Sequence, residues 1–391
     1  MDDDIRQLVQ EQRDRIVSFR QDLHRIPETG FNEKKTADYV AAQLKEAGIE
    51  VQTGVGRTGV VGLLKGEAAP SNRVLMIRAD MDALPIKEET NLPFASTHPN
   101  VMHACGHDGH MAMALGAAIL LKRLQARWKG TIKFVFQPAE ERVGGAVPMI
   151  EAGVMENPTV NCAIGCHIWP GLPEGTIGIR SGAIMAAMHR FDIHIIGRGG
   201  HGAMPHLCVD AVDVGAQVVN ALQRVVSRQM NPLSPTVLTI GSFHAGSAFN
   251  VIAGEAILSG TARTFDRDIW RSWPIRIENI VSGVCQAMGA GYHVEYWEGF
   301  PPVVNDESVT KWVRTCAVQT VGEERVVDFD PAMTGEDMAF FLERTKGCYY
   351  LLGAGHKDTA PLHNSRFTFN EDILLTGVET HCRAALTMLA R

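Results

Sequence analysis

The sequence predicts an α/β fold with a mixed sheet, interrupted by a smaller α+β module. Helix-like and strand-like segments alternate through the first half, a β-α-β-β-α-β run occupies the middle, and the alternation then resumes. At 391 residues the chain exceeds what one hydrophobic core usually serves, so a second domain is expected on length alone.

Taken in order, Asp3 to Ile26 carries Ile5, Leu8, Val9, Ile16, Val17, Phe19 and Leu23 at helical spacing, and Pro27 stops it. Lys34 to Ala47 reads as a second helix closed by Gly48. Val60 to Leu64 and Val74 to Ile77 are short apolar runs with the look of strands. Gly109 to Leu124 is small and apolar on most faces, which predicts a buried helix. Thr131 to Phe136 and Ala163 to Ile168 complete a sheet covered by helices on both faces.

The pattern changes near Ser181. Phe191 to Ile196 alternates as a half-exposed strand does, and Asp210 to Arg228 is amphipathic, with Val214, Val218, Leu222 and Val225 on one stripe. Val237 to Phe243 and Glu255 to Thr264 are strands, Asp268 to Met288 a helix, and His293 to Trp297 a final strand. This order is that of a ferredoxin-like split βαβ module. Because the alternation resumes at Ser308, residues 185–298 are read as an insertion, and 1–184 with 299–391 as one domain. There is no internal repeat.

Composition narrows the function classes. A formal charge of −7 without a basic block argues against nucleic acid as partner. No apolar run reaches membrane-spanning length. Met1-Asp2-Asp3-Asp4 is unlike a secretory leader, so a cytoplasmic location is expected. The eight cysteines form no redox or zinc-knuckle pairing, and most should be small buried hydrophobes.

Cys105 is the exception. The stretch His103-Ala104-Cys105-Gly106-His107-Asp108-Gly109-His110 concentrates imidazole, thiolate and carboxylate, the groups that bind borderline-soft divalent metals. In an extended or turn segment Cys105 and His107 face one side and can share a point, which makes them the best ligands; His103 and His110 are read as non-ligands. Asp80 and Asp82, after the strand Val74 to Ile77, could ligate metal or orient ligand histidines. Glu140 and Glu141 follow another strand and, if extended, point to opposite sides, so that one could hold metal while the other takes a proton from water. These features indicate a metal-dependent hydrolase. His167 and His363, taken alone, read as ordinary packed or surface histidines.

The chain resembles the M20 metallopeptidases, in particular their amidohydrolase branch of hippurate hydrolases, N-acyl-L-amino-acid amidohydrolases and indole-acetyl-amino-acid hydrolases. The resemblance runs through Arg20-Gln21-Asp22-Leu23-His24-Arg25-Ile26-Pro27-Glu28, Arg78 to Pro85, His103 to His110 and Gln137 to Glu141. It continues through Gly199 to His206, Phe249-Asn250-Val251-Ile252, Gly335-Glu336-Asp337-Met338-Ala339 and Leu362-His363-Asn364. It implies a metallohydrolase catalytic domain and an inserted lid that is also the dimer contact. It further implies two divalent ions, Zn2+ or Mn2+ with Co2+ or Ni2+ as substitutes, held by Cys105, His107, Glu141, His167 and His363. Glu140 is then the general base, and Asp80 and Asp82 stand behind the ligands. His201 steadies the oxyanion, and Asn250 and Arg263 receive the substrate carboxylate. The implied substrate is a small N-acyl amino acid. Alternatives are a dipeptidase or aminopeptidase of the same family, or a metal or redox sensor; Glu140 speaks against a sensor, which needs ligands but no base.

Overall fold

The structure, a computed structural model, describes residues 2–142 and 144–390. The chain divides into two compact units. The first comprises the residues up to Ile184, Val303–Asp330 and those from Asp337 onward; the second comprises Met185–Pro302 and Pro331–Glu336. The interruption therefore reaches Pro302, past the residue 298 expected from sequence, and takes in a short later segment as well.

In the first unit an eight-stranded mixed sheet runs in the order Glu50–Val55, Gly59–Lys65, Thr131–Gln137, Val74–Asp80, Cys162–Pro173, Lys346–Gly355, Ile177–Ile179, Val326–Asp328. Val74–Asp80 pairs in parallel with Thr131–Gln137 on one side and with Cys162–Pro173 on the other. A crevice is expected beyond the carboxyl ends of these three strands, where the loops that follow them part. Every residue of Val74–Asp80 and Thr131–Gln137 is buried, which is why these strands read as continuous apolar runs.

The helix expected from Asp3 to Ile26 is two helices, Asp2–Glu11 and Arg13–Arg25, broken at Gln12 with φ −100° and ψ 6°. The two halves bury separate stripes, Ile5 and Val9 in one and Ile16, Phe19 and Leu23 in the other. Helix His107–Arg123 begins earlier than Gly109 because Gly106, at φ 87°, takes the left-handed conformation that reverses the chain into its first turn. Its residues from His107 to Leu121 are all buried. It packs closely at Gly116, where a Cβ would lie 2.8 Å from Val378 Cγ2 and 3.0 Å from Ile16 Cγ1.

The first turn of that helix is tied down by buried charge. Arg20 Nε donates to Asp108 Oδ2 at 3.2 Å, and the guanidinium stacks over Phe369, 3.6 Å from the ring centroid. His24 places Nδ1 2.8 Å from Asp108 Oδ2 and Nε2 3.2 Å from Glu88 Oε1. Two carboxylate partners are satisfied only if both ring nitrogens carry hydrogen, so His24 is an imidazolium. Burial opposes that charge, but Asp108 and Glu88 outweigh it and raise the pKa to about 9.

The second unit is a four-stranded antiparallel sheet ordered Thr236–Ala245, Glu255–Thr264, Ala187–Ile196, Gly291–Glu298, the strand order of a ferredoxin-like module. Helices Ala211–Arg224 and Arg267–Met288 pack on it, and Phe191, Ile193, Val218, Leu222, Trp273 and Ile277 belong to its core. Asp210 and Asp266 cap these helices by accepting from backbone N–H groups. The first helix ends short of Arg228, in a π turn over Val225–Gln229 that keeps Val225 in the core. Among the described residues, no helix is long and apolar enough to cross a membrane.

The close approach at Gly116 makes a stability prediction. Gly116→Val should lower unfolding stability by about 1–3 kcal/mol through overpacking against Ile16 and Val378; a wild-type urea midpoint would show that the helices can spread. The buried imidazolium makes another, in pH. A folded-state pKa near 9, above the ordinary 6.5, means that the His24 contribution is complete below pH 6.5 and disappears as pH rises through 9. The stability advantage of wild type over His24→Gln should therefore shrink between about pH 6 and about pH 9.5, and a constant difference across that range would refute the charged assignment.

Candidate metal centre

Four distant chain segments meet beyond the ends of the central strands. His107 is the first residue of its helix, and its Nδ1 donates to the Asp82 carbonyl at 2.8 Å. That bond leaves Nε2 as the nitrogen able to hold a proton or a cation. Nε2 is buried and, among the described residues, has no hydrogen-bond partner. His167 is held in the same way: Nδ1 donates to the Ile168 carbonyl at 2.7 Å, and Nε2 lies 3.5 Å from Cys105 Sγ. The potential ligand atoms of Cys105, His107 and His167 all lie within 4.8 Å of one another.

A second trio, Cys105, Glu141 and His363, meets the same limit, as does a third, His107, Glu140 and Glu141. His363 Nε2 is 3.1 Å from Glu141 Oε1, and the His363 backbone N–H donates to the Ala104 carbonyl at 2.8 Å. This last bond brings a residue from just before the C-terminal helix to the side of Cys105. The His363 side chain is 52% exposed, so the cluster opens to solvent there.

Glu140 and Glu141 are not on a strand, contrary to the expectation from sequence. The strand ends at Gln137, Pro138 offers no N–H, and Ala139 turns through φ 51°. Asp82 organises the bend that follows: Oδ1 accepts from Glu140 N at 3.0 Å and Oδ2 from Glu141 N at 3.1 Å. In a bend, unlike a strand, neighbouring carboxylates can approach the same point, as these two do. Cys105 and His107 flank a left-handed glycine, in the turn that was one of the two conformations expected.

Asp80 and His110 have their polar atoms engaged elsewhere. Asp80 Oδ1 accepts from His110 Nδ1 at 2.6 Å and Oδ2 from Arg78 Nη1 at 2.7 Å, while His110 Nε2 accepts from Ile168 N at 2.9 Å. Asp80 Oδ2 still lies only 3.8 Å from His107 Nε2. His103 is fully buried, and burial lowers its pKa to about 3, so it is neutral.

The electrostatics favour a cation. Burial, then Glu141, Glu140 and Asp80, push the Cys105 thiol well above its usual range. Burial opposes charge on His107, but Asp80, Asp82 and Glu141 outweigh it and raise the pKa to about 10. Burial likewise opposes charge on Glu141, whose carboxyl His363 and His107 nevertheless hold low. Several carboxylates thus surround an imidazole nitrogen that draws positive charge and a thiol that cannot ionise by itself. A divalent cation would take the place of the proton on His107, offset the repulsion and stabilise the thiolate. The sulfur, nitrogen and oxygen donors suit a borderline-soft metal.

The remaining site residues expected from sequence lie in the second unit. His201, in the short strand Gly200–His201, pairs with Val251, and Gly202 N donates to the Asn250 carbonyl at 2.8 Å, so two motifs far apart in sequence adjoin. His201 Nδ1 accepts from Ala203 N at 3.0 Å, which leaves the ring hydrogen on Nε2 of this exposed side chain as a donor. Arg263, in strand Glu255–Thr264, is half-buried opposite Met188 and Val237. Reasoning from sequence assigned no part to Arg78 or Asp337, although an arginine inside a run as apolar as Val74 to Ala79 signals a buried partner.

Comparison with known proteins identifies the family. The model of Peptidase family M20/M25/M40 matches residues 76–387. The N-acyl-L-amino acid amidohydrolase of Geobacillus stearothermophilus is 47% identical over 304 residues, covering 78% of this chain and 81% of that protein. Thermostable carboxypeptidase 1 of Saccharolobus solfataricus is 38% identical over 385 residues, covering 97% and 96%. The crystal structure of the Bacillus subtilis YXEP protein, a dinuclear metal binding peptidase from the M20 family, superimposes with a TM-score of 0.83 at 33% identity, covering 97% and 99%. The chain belongs to peptidase family M20/M25/M40 and is a metal-dependent hydrolase of that family.

Proposed function

We propose that this protein hydrolyses the amide bond of N-acyl-L-amino acids, with Cys105, His107, Glu141, His167 and His363 holding two divalent ions and Glu140 acting as general base. One observation carries the reading: Glu140 is fixed by Asp82 with its carboxylate inside the same 4.8 Å cluster as His107 and Glu141. Zn2+ or Mn2+ suits the donors, and Co2+ or Ni2+ would also be accepted. When bound, the ions polarise the substrate carbonyl and bring the pKa of a water towards neutrality.

The residues of the chain do the rest. Glu140 takes a proton from the water as its oxygen attacks the carbonyl carbon, then delivers that proton to the amide nitrogen as the C–N bond breaks. His201 offers its Nε2 hydrogen to the developing oxyanion, a donor worth on the order of 3 kcal/mol in comparable sites. Asn250 and Arg263 receive the carboxylate of the amino-acid half, for which a guanidinium fork is well shaped. The inserted module carries the contact between two copies of the chain; Thr236–Ala245 is an edge strand of its sheet among the described residues, and such an edge suits that role. The eight cysteines, as thiols, suit a reducing compartment such as the cytoplasm.

A carboxypeptidase relative supports the same bond polarity. Removing an acyl group from an amino acid and removing a C-terminal residue from a peptide both release an amine that bears a free carboxylate. The two reactions differ only in what the acyl side is. An aminopeptidase or dipeptidase must instead recognise a free α-amine.

Two measurements test this reading. Glu140→Gln should retain its metal while kcat falls by about 100- to 10,000-fold; ordinary turnover would remove Glu140 as base. A panel of N-acetyl and N-benzoyl amino acids, blocked dipeptides and free dipeptides should show turnover of acylated substrates with a free carboxylate. A preference for free dipeptides would favour the aminopeptidase reading instead.

A further inference from the structure

We propose that Arg78 and Asp337 are positioning residues for the metal centre, acting through Asp80 and Gln137. The inference rests on the metal-centre reading above. Both residues are fully buried. Arg78 spreads its guanidinium over Asp80, Asp337 and Gln137: Nη1 to Asp80 Oδ2 at 2.7 Å, Nη2 to Asp337 Oδ1 at 2.7 Å, and Nε to Gln137 Oε1 at 2.9 Å. Asp337 in turn accepts from Gln137 Nε2, at 2.8 Å and 2.7 Å to its two oxygens, and from Ala146 N at 3.0 Å.

This cluster continues into the site at two points. Asp80, held by Arg78, fixes the His110 ring, and His110 accepts from the N–H of Ile168, next to His167. Gln137 ends the strand from which the Glu140–Glu141 bend departs, and Ala146 opens the helix that follows it. The bend is thus secured on both flanks by one carboxylate, Asp337, while Arg78 keeps Asp80 turned towards His107. Asp337 is also the residue at which the chain re-enters the first unit after Pro331–Glu336.

A fork is required for this arrangement. Lysine at position 78 would keep the charge but, as a single point, could not serve Asp80, Asp337 and Gln137 together. The experiment compares wild type, Arg78→Lys and Asp337→Asn by Zn2+ affinity against a chelator, by kcat and KM at saturating Zn2+, and by the unfolding midpoint of the metal-free protein. Arg78→Lys should fold and bind Zn2+ about 10- to 100-fold more weakly, with kcat lowered and KM little changed. Asp337→Asn should move in the same direction, and it decides the matter if Arg78→Lys does not fold. Wild-type Zn2+ affinity and kcat in a folded variant would overturn the proposal. So would a lowered unfolding midpoint with unaltered Zn2+ affinity, the mark of a purely structural residue. If wild type binds Zn2+ but cleaves no acylated amino acid, the proposed function fails while the affinity comparison still decides the role of Arg78.

Discussion

Three hydrogen bonds to Asp82 hold the candidate site in shape. Its carbonyl accepts the His107 Nδ1 hydrogen, and its two carboxylate oxygens accept the N–H groups of Glu140 and Glu141. One residue therefore sets which imidazole nitrogen faces the cluster and where both glutamates stand. All three bonds lie within the protein, so the fold itself prepares much of the donor geometry. What a cation adds is charge balance, because burial, then Glu141, Glu140 and Asp80, all act to keep the Cys105 thiol protonated.

The backbone shows where this preparation is costly. Ala139 and His363 both have positive φ, at 51° and 63°, in residues that are not glycine. Such conformations cost on the order of 1–3 kcal/mol each and persist only where surrounding contacts enforce them. Those contacts are present. Ala139 N donates to buried Glu33 at 2.9 Å, and His363 N to the Ala104 carbonyl at 2.8 Å. Ala139 adjoins Glu140 and the second strained residue is His363 itself, so part of the chain's backbone strain falls where side chains must be aimed.

Much of this was legible in the sequence, for identifiable reasons. The buried strands and helices declared themselves by apolar periodicity, and the split βαβ module by its element order. The cysteine and histidines of residues 103–110 stood out because so many metal-binding groups seldom occur together without cause. His167 and His363 could not be read that way. Each is a single histidine in an ordinary setting, and its meaning comes from a distant partner, as across the 62 positions between Cys105 and His167. Reading Glu140 and Glu141 as strand residues failed because local alternation does not register Pro138 and a left-handed Ala139.

Buried charge was the least legible feature, because a charged residue in an apolar run does not name its partner. Arg78 finds Asp337 across 259 positions, and Arg20 finds Asp108 across 88. Leaving either arginine unpaired inside the protein would cost several kcal/mol, so each must have its counter-charge wherever the fold can bring one. Both arginines bear on one helix turn: Asp108, paired with Arg20, follows His107 directly, and Asp80, held by Arg78, binds His110 further along the same turn. A helix whose first turn is gripped from both sides by paired charge has little freedom to rotate. That immobility is what a site needs if Nε2 of His107 is to stay aimed at a cation.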